Sequence, residues 1–460
     1  MGMGQERFMN DNGNHTALNR RDFLRGGSLA TLAALAGGIR LRAQPADAET
    51  APPPVQKVKV AVIGLGTWGR ELLDQLARIP QADVAAVCDH YPAFLKRAGA
   101  KAPHAKRVED YKAVLAEDEI KAVIVATPTH LHKEIVLAAL AAGKHVYCES
   151  PLAVTLEDAK AIALAAKKHG RQVFQPGLQL RSDPQEAFLL QFVRSGAAGK
   201  WASGRSQWNK KTSWRISAPN PEREKVMNWR LDPATSLGLV GEVGLHQIDR
   251  ASWYFNGLPE AVSGRGAVTF WKDGRTVADS VQAVFEYPGG AHLSFESTLV
   301  NSFESETDIY YGSDAAVMIR EGAAWMFKEA DAPLLGWEVY ARKDTFHKET
   351  GISLKMDASK LTSQGDQDTD TVEAPDPPIF FALQNFLRNT VEVTQAVEDF
   401  VSIYGDDEEA LAEHLTKGIN KLPAADYLDG YRATVLAIKA NEAIVKGERI
   451  VMRPEWYELA

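Results

Sequence analysis

Cysteine is almost missing from this 460-residue chain, which has only Cys88 and Cys148. Both end short apolar runs that read as strands of one sheet, three steps apart, or roughly 14 Å at the usual strand spacing. A disulfide needs Cα atoms within about 7 Å. A disulfide framework is therefore excluded, and two free, buried thiols are expected. Long apolar runs are also missing. The longest, Gly26–Ile39, falls short of the ~20 residues that span a bilayer. Positive charge is not in excess, with 52 Lys and Arg against 60 Asp and Glu and a net charge of −8. That balance argues against nucleic acid or an anionic membrane as the main partner, although a small substrate reads only local charge. Metal-ligand spacing is absent as well: His130 and His132 stand two apart, share no helix face and have no acid or cysteine to complete a set. No internal repeat is present.

What is there divides by position. The length suits two domains. Residues 1–48 read as a targeting segment, with "NRRDFLR" at 19–25, the apolar run, and a small-residue site at Ala46-Asp47-Ala48. This pattern is that of a twin-arginine export signal, which predicts a periplasmic or secreted protein with no stable membrane span once the signal is removed. The bland alternative is a disordered basic tail. Residues 49–57 follow as a stiff, proline-bearing linker. Because that export route carries folded proteins, a nucleotide acquired in the cytoplasm can travel inside its protein.

Residues 58–69, "VKVAVIGLGTWG", give a buried strand that runs into Gly64-x-Gly66-x-x-Gly69 and then a helix. The first glycine permits a tight turn, the second lets a pyrophosphate approach the backbone, and the third lets helix and strand pack closely. Thr67 and Trp68 fill the loop positions beside that phosphate site. The next strand ends at Asp89, twenty residues past Gly69. A carboxylate there suits both hydroxyls of an adenosine ribose and repels a 2′-phosphate. Charge-assisted bonds of this kind contribute about 1.5–3 kcal/mol, which favours NAD over NADP, and no arginine adjoins Asp89 in the sequence. Strands and helices go on alternating to residue 176, which predicts a doubly wound parallel sheet over 58–176. Thr127-Pro128 and Glu149 fall at the carboxyl ends of later strands, the edge at which such sheets bind ligands. The alternative, a purely structural αβ turn, leaves the coincidence of these signals at one edge unexplained.

Together "VIGLGTWG", "VCD", "ATPTHLHKE", "AAGKHVYCESPLA", "VFQPGLQLRSDP" and "GEVGLHQID" resemble the Gfo/Idh/MocA oxidoreductases. The resemblance implies a Rossmann domain followed by an α/β domain, here 177–460, with an open, mostly antiparallel sheet whose exposed face often serves homo-oligomerisation. It implies substrates that are sugars, cyclitols or related polyols; tightly bound NAD is expected from the compartment instead, because an exported enzyme cannot draw on the cytoplasmic nicotinamide pool. It places Thr127, Pro128, His132, Glu149 and Pro151 beside the cofactor. The family turn reads Glu-Lys-Pro; this chain has Glu149 and Pro151 but Ser150 between them. In "GEVGLHQID", Glu242 stands where the family usually has Asp, and His246 matches the expected base. Residues three and four apart share a helix face, so Glu242, His246 and Asp249 are expected to point together at the substrate. The other reading of His246 is a core histidine near a helix start.

Half of the ten tryptophans lie between Trp201 and Trp253, interleaved with Lys210, Lys211, Arg215 and Arg230. Aromatic faces stack on sugar rings and cations bind hydroxyls or carboxylates, so Lys210, Lys211, Trp229 and Arg230 are substrate-binding candidates; core packing is the plainer role for any single tryptophan. Arg181, just past the sixth strand, is a further candidate. Strand-period runs follow ("AVTFW", "SVQAVFEY", "AHLSFES", "TDIYYG", "AVMIRE", "AWMFKE"), then a polar stretch at 359–378 and amphipathic helices, the last about 426–447.

Ser150 divides the functional expectation. A cation about 4 Å from a developing alkoxide contributes roughly 4 kcal/mol at an effective dielectric of about 20, and a serine hydrogen bond about 1 kcal/mol. The difference, about 3 kcal/mol, is roughly a hundredfold in rate. Either Lys210, Lys211, Arg181 or Arg230 supplies the cation to a sugar dehydrogenase, or the chemistry is slower or different. A redox-neutral cleavage of a glycoside, in which hydride leaves and returns, and a non-catalytic NAD-retaining protein are the alternatives.

Overall fold

The computed structural model describes residues 55–335, 338, 343–346, 349–353 and 376–459. The export segment lies outside the described residues, as do the linker and the polar stretch at 359–378 except for the last three residues of each.

The first domain alternates β1 (Val58–Ile63), α1 (Thr67–Leu76), β2 (Ala82–Cys88), α2 (Pro92–Ala98), β3 (Lys106–Val108), α3 (Tyr111–Leu115), β4 (Ala122–Val125), α4 (His132–Ala141), β5 (His145–Cys148), α5 (Leu156–Lys168) and β6 (Phe174–Pro176). The strands form one parallel sheet in the order β3-β2-β1-β4-β5-β6. The central strands are apolar throughout because helices cover both faces, as parallel sheets require; Val60, Ala61, Val62 and all of β4 are sealed from solvent. Cys88 and Cys148 sit on β2 and β5, three strand steps apart, both free and buried. Between β1 and β4 the connections switch direction, which opens a crevice at the strands' carboxyl ends.

The second domain begins with α6 (Pro184–Arg194) and the long strand β7 (Trp201–Asn209), then α7 (Pro221–Met227), α8 (Gly238–Glu242) and α9 (Leu245–Tyr254). Strands β8 (Ala261–Ala267), β9 (Ser280–Glu286), β10 (His292–Thr298), β11 (Glu306–Gly312), β12 (Ala315–Arg320), β13 (Ala323–Lys328), β14 (Lys343–Phe346) and β15 (Glu349–Ser353) follow. After them come α10 (Pro378–Tyr404), α11 (Glu408–Lys417), α12 (Tyr427–Lys446) and β16 (Ile450–Val451). The ten strands order as β14-β15-β13-β12-β11-β7-β10-β9-β8-β16, antiparallel except for the β7–β10 pair. The fold is α/β: a doubly wound parallel sheet and an open, mostly antiparallel one. Along β12 every second residue is buried, so one face carries the core, as the alternation in its sequence implies. Among the described residues no helix is long and apolar enough to cross a membrane.

One strand lies elsewhere than expected. Of "AVTFW" only Ala267 is in a strand, as the last residue of "AVSGRGA", and the remainder is a loop. The Asp279 carboxylate accepts the backbone N–H groups of Thr269, Phe270 and Trp271 at 2.8–2.9 Å, drawing that run out of the ladder. The glycines that make β8 look unlike a strand leave room for Ile444 of α12, whose atoms stand 2.6 and 2.8 Å from a Cβ built at Gly264 and Gly266.

Two late helices return to the first domain. The start of α10 buries Ile379, Phe380, Leu383 and Phe386 against β1 and α1. Capped by a reciprocal Asp426–Asp429 box and ended by left-handed Gly447, α12 lies between β8 and the α5–β6 edge. There Gly430 passes so close to Pro176 that a Cβ would stand 2.6 Å from the ring.

Candidate functional site

The glycine turn is built as its spacing demands. Gly64 has φ +96°, and a Cβ on it would meet the Ala126 carbonyl at 2.6 Å. A Cβ on Gly69 would lie 1.9 Å from the Gly64 oxygen, so the helix can approach the turn only without one. A Cβ on Gly66, by contrast, meets nothing within 4 Å: the backbone there is open, as a pyrophosphate needs. Thr67 is exposed at the first position of α1, with Trp68 beside it, 36% exposed. Asp89 sits at the end of β2 with its side chain only 8% exposed. Its two oxygens accept the Leu65 and Tyr91 N–H groups, each at 2.8 Å, which ties the turn to the strand end. Each carboxylate oxygen keeps a second lone pair for a ribose hydroxyl. The residues fit a dinucleotide.

Four buried polar atoms without a hydrogen-bond partner occur in the loops after β4 and β5: Thr127 Oγ1, His130 Nδ1, Glu149 Oε1 and Ser150 Oγ. Such orphans are rare in folded proteins, and here they gather at the sheet edge where the other half of the dinucleotide would lie. Pro128 is partly exposed in the same loop, while Pro151 is buried after a cis Ser150–Pro151 bond. Burial pushes the Glu149 carboxyl up to about 7, against the opposing dipoles of the Trp68 indole, the Ser150 N–H and Tyr147. A lysine at 150 would hold it ionised; serine does not. His132 corrects an expectation. It is 1% exposed, and its ring nitrogens face the Thr127 and Pro151 carbonyls at 3.0 and 3.1 Å. Burial lowers it to about 4, so the neutral ring donates to one of the two carbonyls, and buried between the loops it has no face free for a cofactor. Two positioning groups were not foreseen. The Thr434 hydroxyl of α12 accepts the Leu152 N–H at 3.0 Å. Gly177 leaves space for Glu149, since a Cβ there would stand 2.6 Å from Oε2. The glycine in "QPG" was the visible signal for it.

The second domain departs further. Glu242 and His246 do not share one helix, because α8 ends at Glu242 and α9 starts at Leu245. At the break, Gly244 passes under the Phe295 ring so closely that a Cβ would stand 2.5 Å from it. The Glu242 Oε1 accepts from the Ser236 hydroxyl at 3.1 Å and the Leu237 N–H at 3.3 Å, while Oε2 stands 3.9 Å from Arg230 Nε. Burial raises its carboxyl, with Arg230 opposing first and Thr129 among the lesser opposing groups. Burial also lowers His246 to about 4, with Asp249 opposing and Arg250 assisting, and its Nδ1 has no hydrogen-bond partner. The imidazole is therefore neutral at pH 7.

Arg181 and Asp249 are not free to hold a substrate. Arg181 binds both oxygens of Asp249 at 2.9 Å, reaches Asp429 of α12 at 2.9 Å and lies over Trp253. Burial disfavours that charge, but the two carboxylates more than offset it and raise the guanidinium. Lys210 and Lys211 are exposed just beyond β7, where Lys211 lies over Phe270. Arg215 is paired with Asp273 and Glu224. Of the four cations considered for the lysine's place, Arg230 is the one next to Glu242. Its guanidinium lies 4.5 Å from the Trp229 ring centre and 5.9 Å from that of Trp214. Trp229 in turn faces His130, in the loop after β4, at 6.5 Å.

The chain's two matched families agree with this architecture. Residues 58–176 match the oxidoreductase family with an NAD-binding Rossmann fold, and residues 188–317 match the GFO/IDH/MocA C-terminal domain. Inositol 2-dehydrogenase of Rubrobacter xylanophilus is 31% identical over 55% of this chain and 68% of its own length. Levoglucosan dehydrogenase of Pseudarthrobacter phenanthrenivorans is 28% identical over 43% of this chain and 51% of its own. Among solved structures, levoglucosan dehydrogenase in complex with NADH and L-sorbose has a TM-score of 0.63 at 18% identity, covering 86% of this chain and 99% of that one. Aldose-aldose oxidoreductase from Caulobacter crescentus has a TM-score of 0.60 at 20% identity, covering 86% and 100%. At such identities the structures show a shared fold. Glycine turn, second-domain sheet and family match together make this chain an NAD-dependent oxidoreductase of the Gfo/Idh/MocA family.

Proposed function

We propose that this protein is exported by the twin-arginine route as an NAD-retaining oxidoreductase acting on a carbinol of a sugar, cyclitol or sugar-derived compound, with His246 as general base. The observation that carries the reading is the row of unpartnered buried atoms, Thr127 Oγ1, Glu149 Oε1 and Ser150 Oγ, at the end of an NAD-binding sheet. NAD, when bound, supplies the hydride acceptor. His246 is neutral and takes the hydroxyl proton of the carbon being oxidised. Glu242 and Arg230 hold substrate hydroxyls, and Trp214 and Trp229 offer ring faces beside them. Inositol and levoglucosan, named in the relatives, are carbohydrates of the class such a surface fits. Outside the cytoplasm the cofactor must be regenerated within the protein's own cycle, which a second carbonyl substrate would do. A homo-oligomer through the open face of the second sheet is part of the same proposal.

Ser150 favours a second reading, redox-neutral glycoside cleavage, in which hydride leaves and returns. One experiment separates them. The nucleotide of the purified protein is released with acid and identified by mass; the protein is then incubated with free sugars and glycosides while NADH absorbance and products are followed. Oxidised product formed only with an added carbonyl acceptor supports the oxidoreductase. Glycoside hydrolysis without net NADH supports the second reading, and no product from either panel overturns both. His246→Ala should abolish turnover while NAD stays bound; retained activity would rule His246 out as the base.

A further inference from the structure

The segment between β7 and α8 leaves the second domain and touches the first at two points. Arg223 on α7 lies over the Tyr91 ring, 5.0 Å from guanidinium to ring centre. Tyr91 follows β2 and donates its N–H to Asp89, the acid that reads the ribose. Six residues later, Trp229 faces His130 after β4. In the first sheet β1 lies between β2 and β4, so the Gly64–Gly69 turn lies between the two contacts. Two strand spacings are about 10 Å; the four steps from Arg223 to the end of α7 at Met227 rise about 6 Å, and the two further residues to Trp229 span up to about 7 Å more. The segment therefore spans the mouth of the phosphate turn.

Its other properties agree. No residue of α7 is buried, although most globular helices bury an apolar stripe. Its ends are capped: Asn220 accepts the Arg223 N–H, and the Asn228 side chain bonds the Glu224 carbonyl within the helix and the Ile216 backbone outside it. Among the described residues no carboxylate lies within 4 Å of the Arg223 guanidinium, which keeps its donors for another acceptor.

We infer that residues 221–231 form a strap over the dinucleotide groove, with Arg223 and Tyr91 as a clamp at the adenosine end, so that the nucleotide leaves only when that contact opens. The inference deepens the proposal above and rests on its claim that NAD stays with the protein. The test reads release, not reaction. Full-length protein loaded with NADH is chased with excess NAD while NADH fluorescence is followed. The wild type should release slowly, over minutes. Arg223→Ala and Tyr91→Ala should each speed release about tenfold or more. The double variant should release no faster than the singles, because one shared contact is lost. Since α7 buries nothing, nucleotide-free Arg223→Ala should keep the circular dichroism and melting temperature of the nucleotide-free wild type. Slow wild-type release with variants within about twofold of it overturns the strap and leaves retained NAD standing. Additive effects overturn the clamp as one contact. Wild-type release within about a second overturns both the strap and NAD retention.

Discussion

Ser150 matters through its neighbours. Without an ammonium beside it, Glu149 is governed by burial and titrates near 7. Its pKa is raised on folding, so the folded state holds that proton more tightly. The stability this adds is complete below the unfolded value of about 4.5 and is lost as pH rises through about 7. Urea unfolding of the nucleotide-free protein at pH 5 and 8 should show a drop that Glu149→Gln removes. His246 has the opposite sign. Its folded pKa is depressed to about 4, so stability is lost as pH falls from 6.5 through 4. If it is the base of the free enzyme, it should put the acid limb of kcat/KM near pH 4 rather than 6.5. Any further step near 7 should vanish in Glu149→Gln. If Arg230 stands in for the lysine, Arg230→Met should lower kcat about a hundredfold, and Ser150→Lys in that background should restore part of it. An Arg230→Met enzyme at wild-type rate would exclude Arg230 from that role.

At the scale of elements, the glycines separate folding from binding. Gly177→Ala would drive a methyl group against Glu149 and its neighbouring backbone. It should cost about 1–3 kcal/mol in chemical unfolding and displace the Glu149 turn. Gly66→Ala meets nothing within 4 Å. It should keep nucleotide-free stability within about 0.5 kcal/mol yet weaken NAD in a binding titration, because the methyl group occupies the pyrophosphate's path. The same comparison shows what was legible. Gly64, Gly66 and Gly69 announce their turn because their spacing is local. Gly244 and Gly177 do not, because Phe295 and Glu149, the groups they make room for, come from other segments. The broken α8–α9 helix and the displaced β8 strand escaped for that reason.

For the whole molecule, Arg181 is the joint. It links the segment after β6 to α9 and α12 through Asp249 and Asp429. Arg181→Met would leave two largely buried carboxylates facing each other. It should cost about 3–5 kcal/mol, the lower end being apt for a side chain still 18% exposed. The loss should shrink at acid pH. Asp429 is already pushed up to about 6 by burial, with Arg181 opposing; without Arg181 it would hold its proton more tightly, and protonation relieves the repulsion. Urea unfolding of variant and wild type at pH 7.5 and 5.5 measures this, and an equal deficit at both would mean the carboxylates are not the cause. Sequence spacing could not reveal this triad, whose members lie in segments far apart along the chain.

The sequence by itself determined the parallel sheet, the glycine turn, Asp89 at the end of β2 and the two unpaired cysteines, because strand period and turn chemistry act over a few residues. Only the tertiary structure decided that Arg181 and Asp249 are spent on each other, that His132 is buried between two loops, that Glu242 and His246 lie on separate helices, and that Arg223 reaches Tyr91. Each of these depends on groups brought together from distant segments, where burial and charge pairing outweigh any local preference.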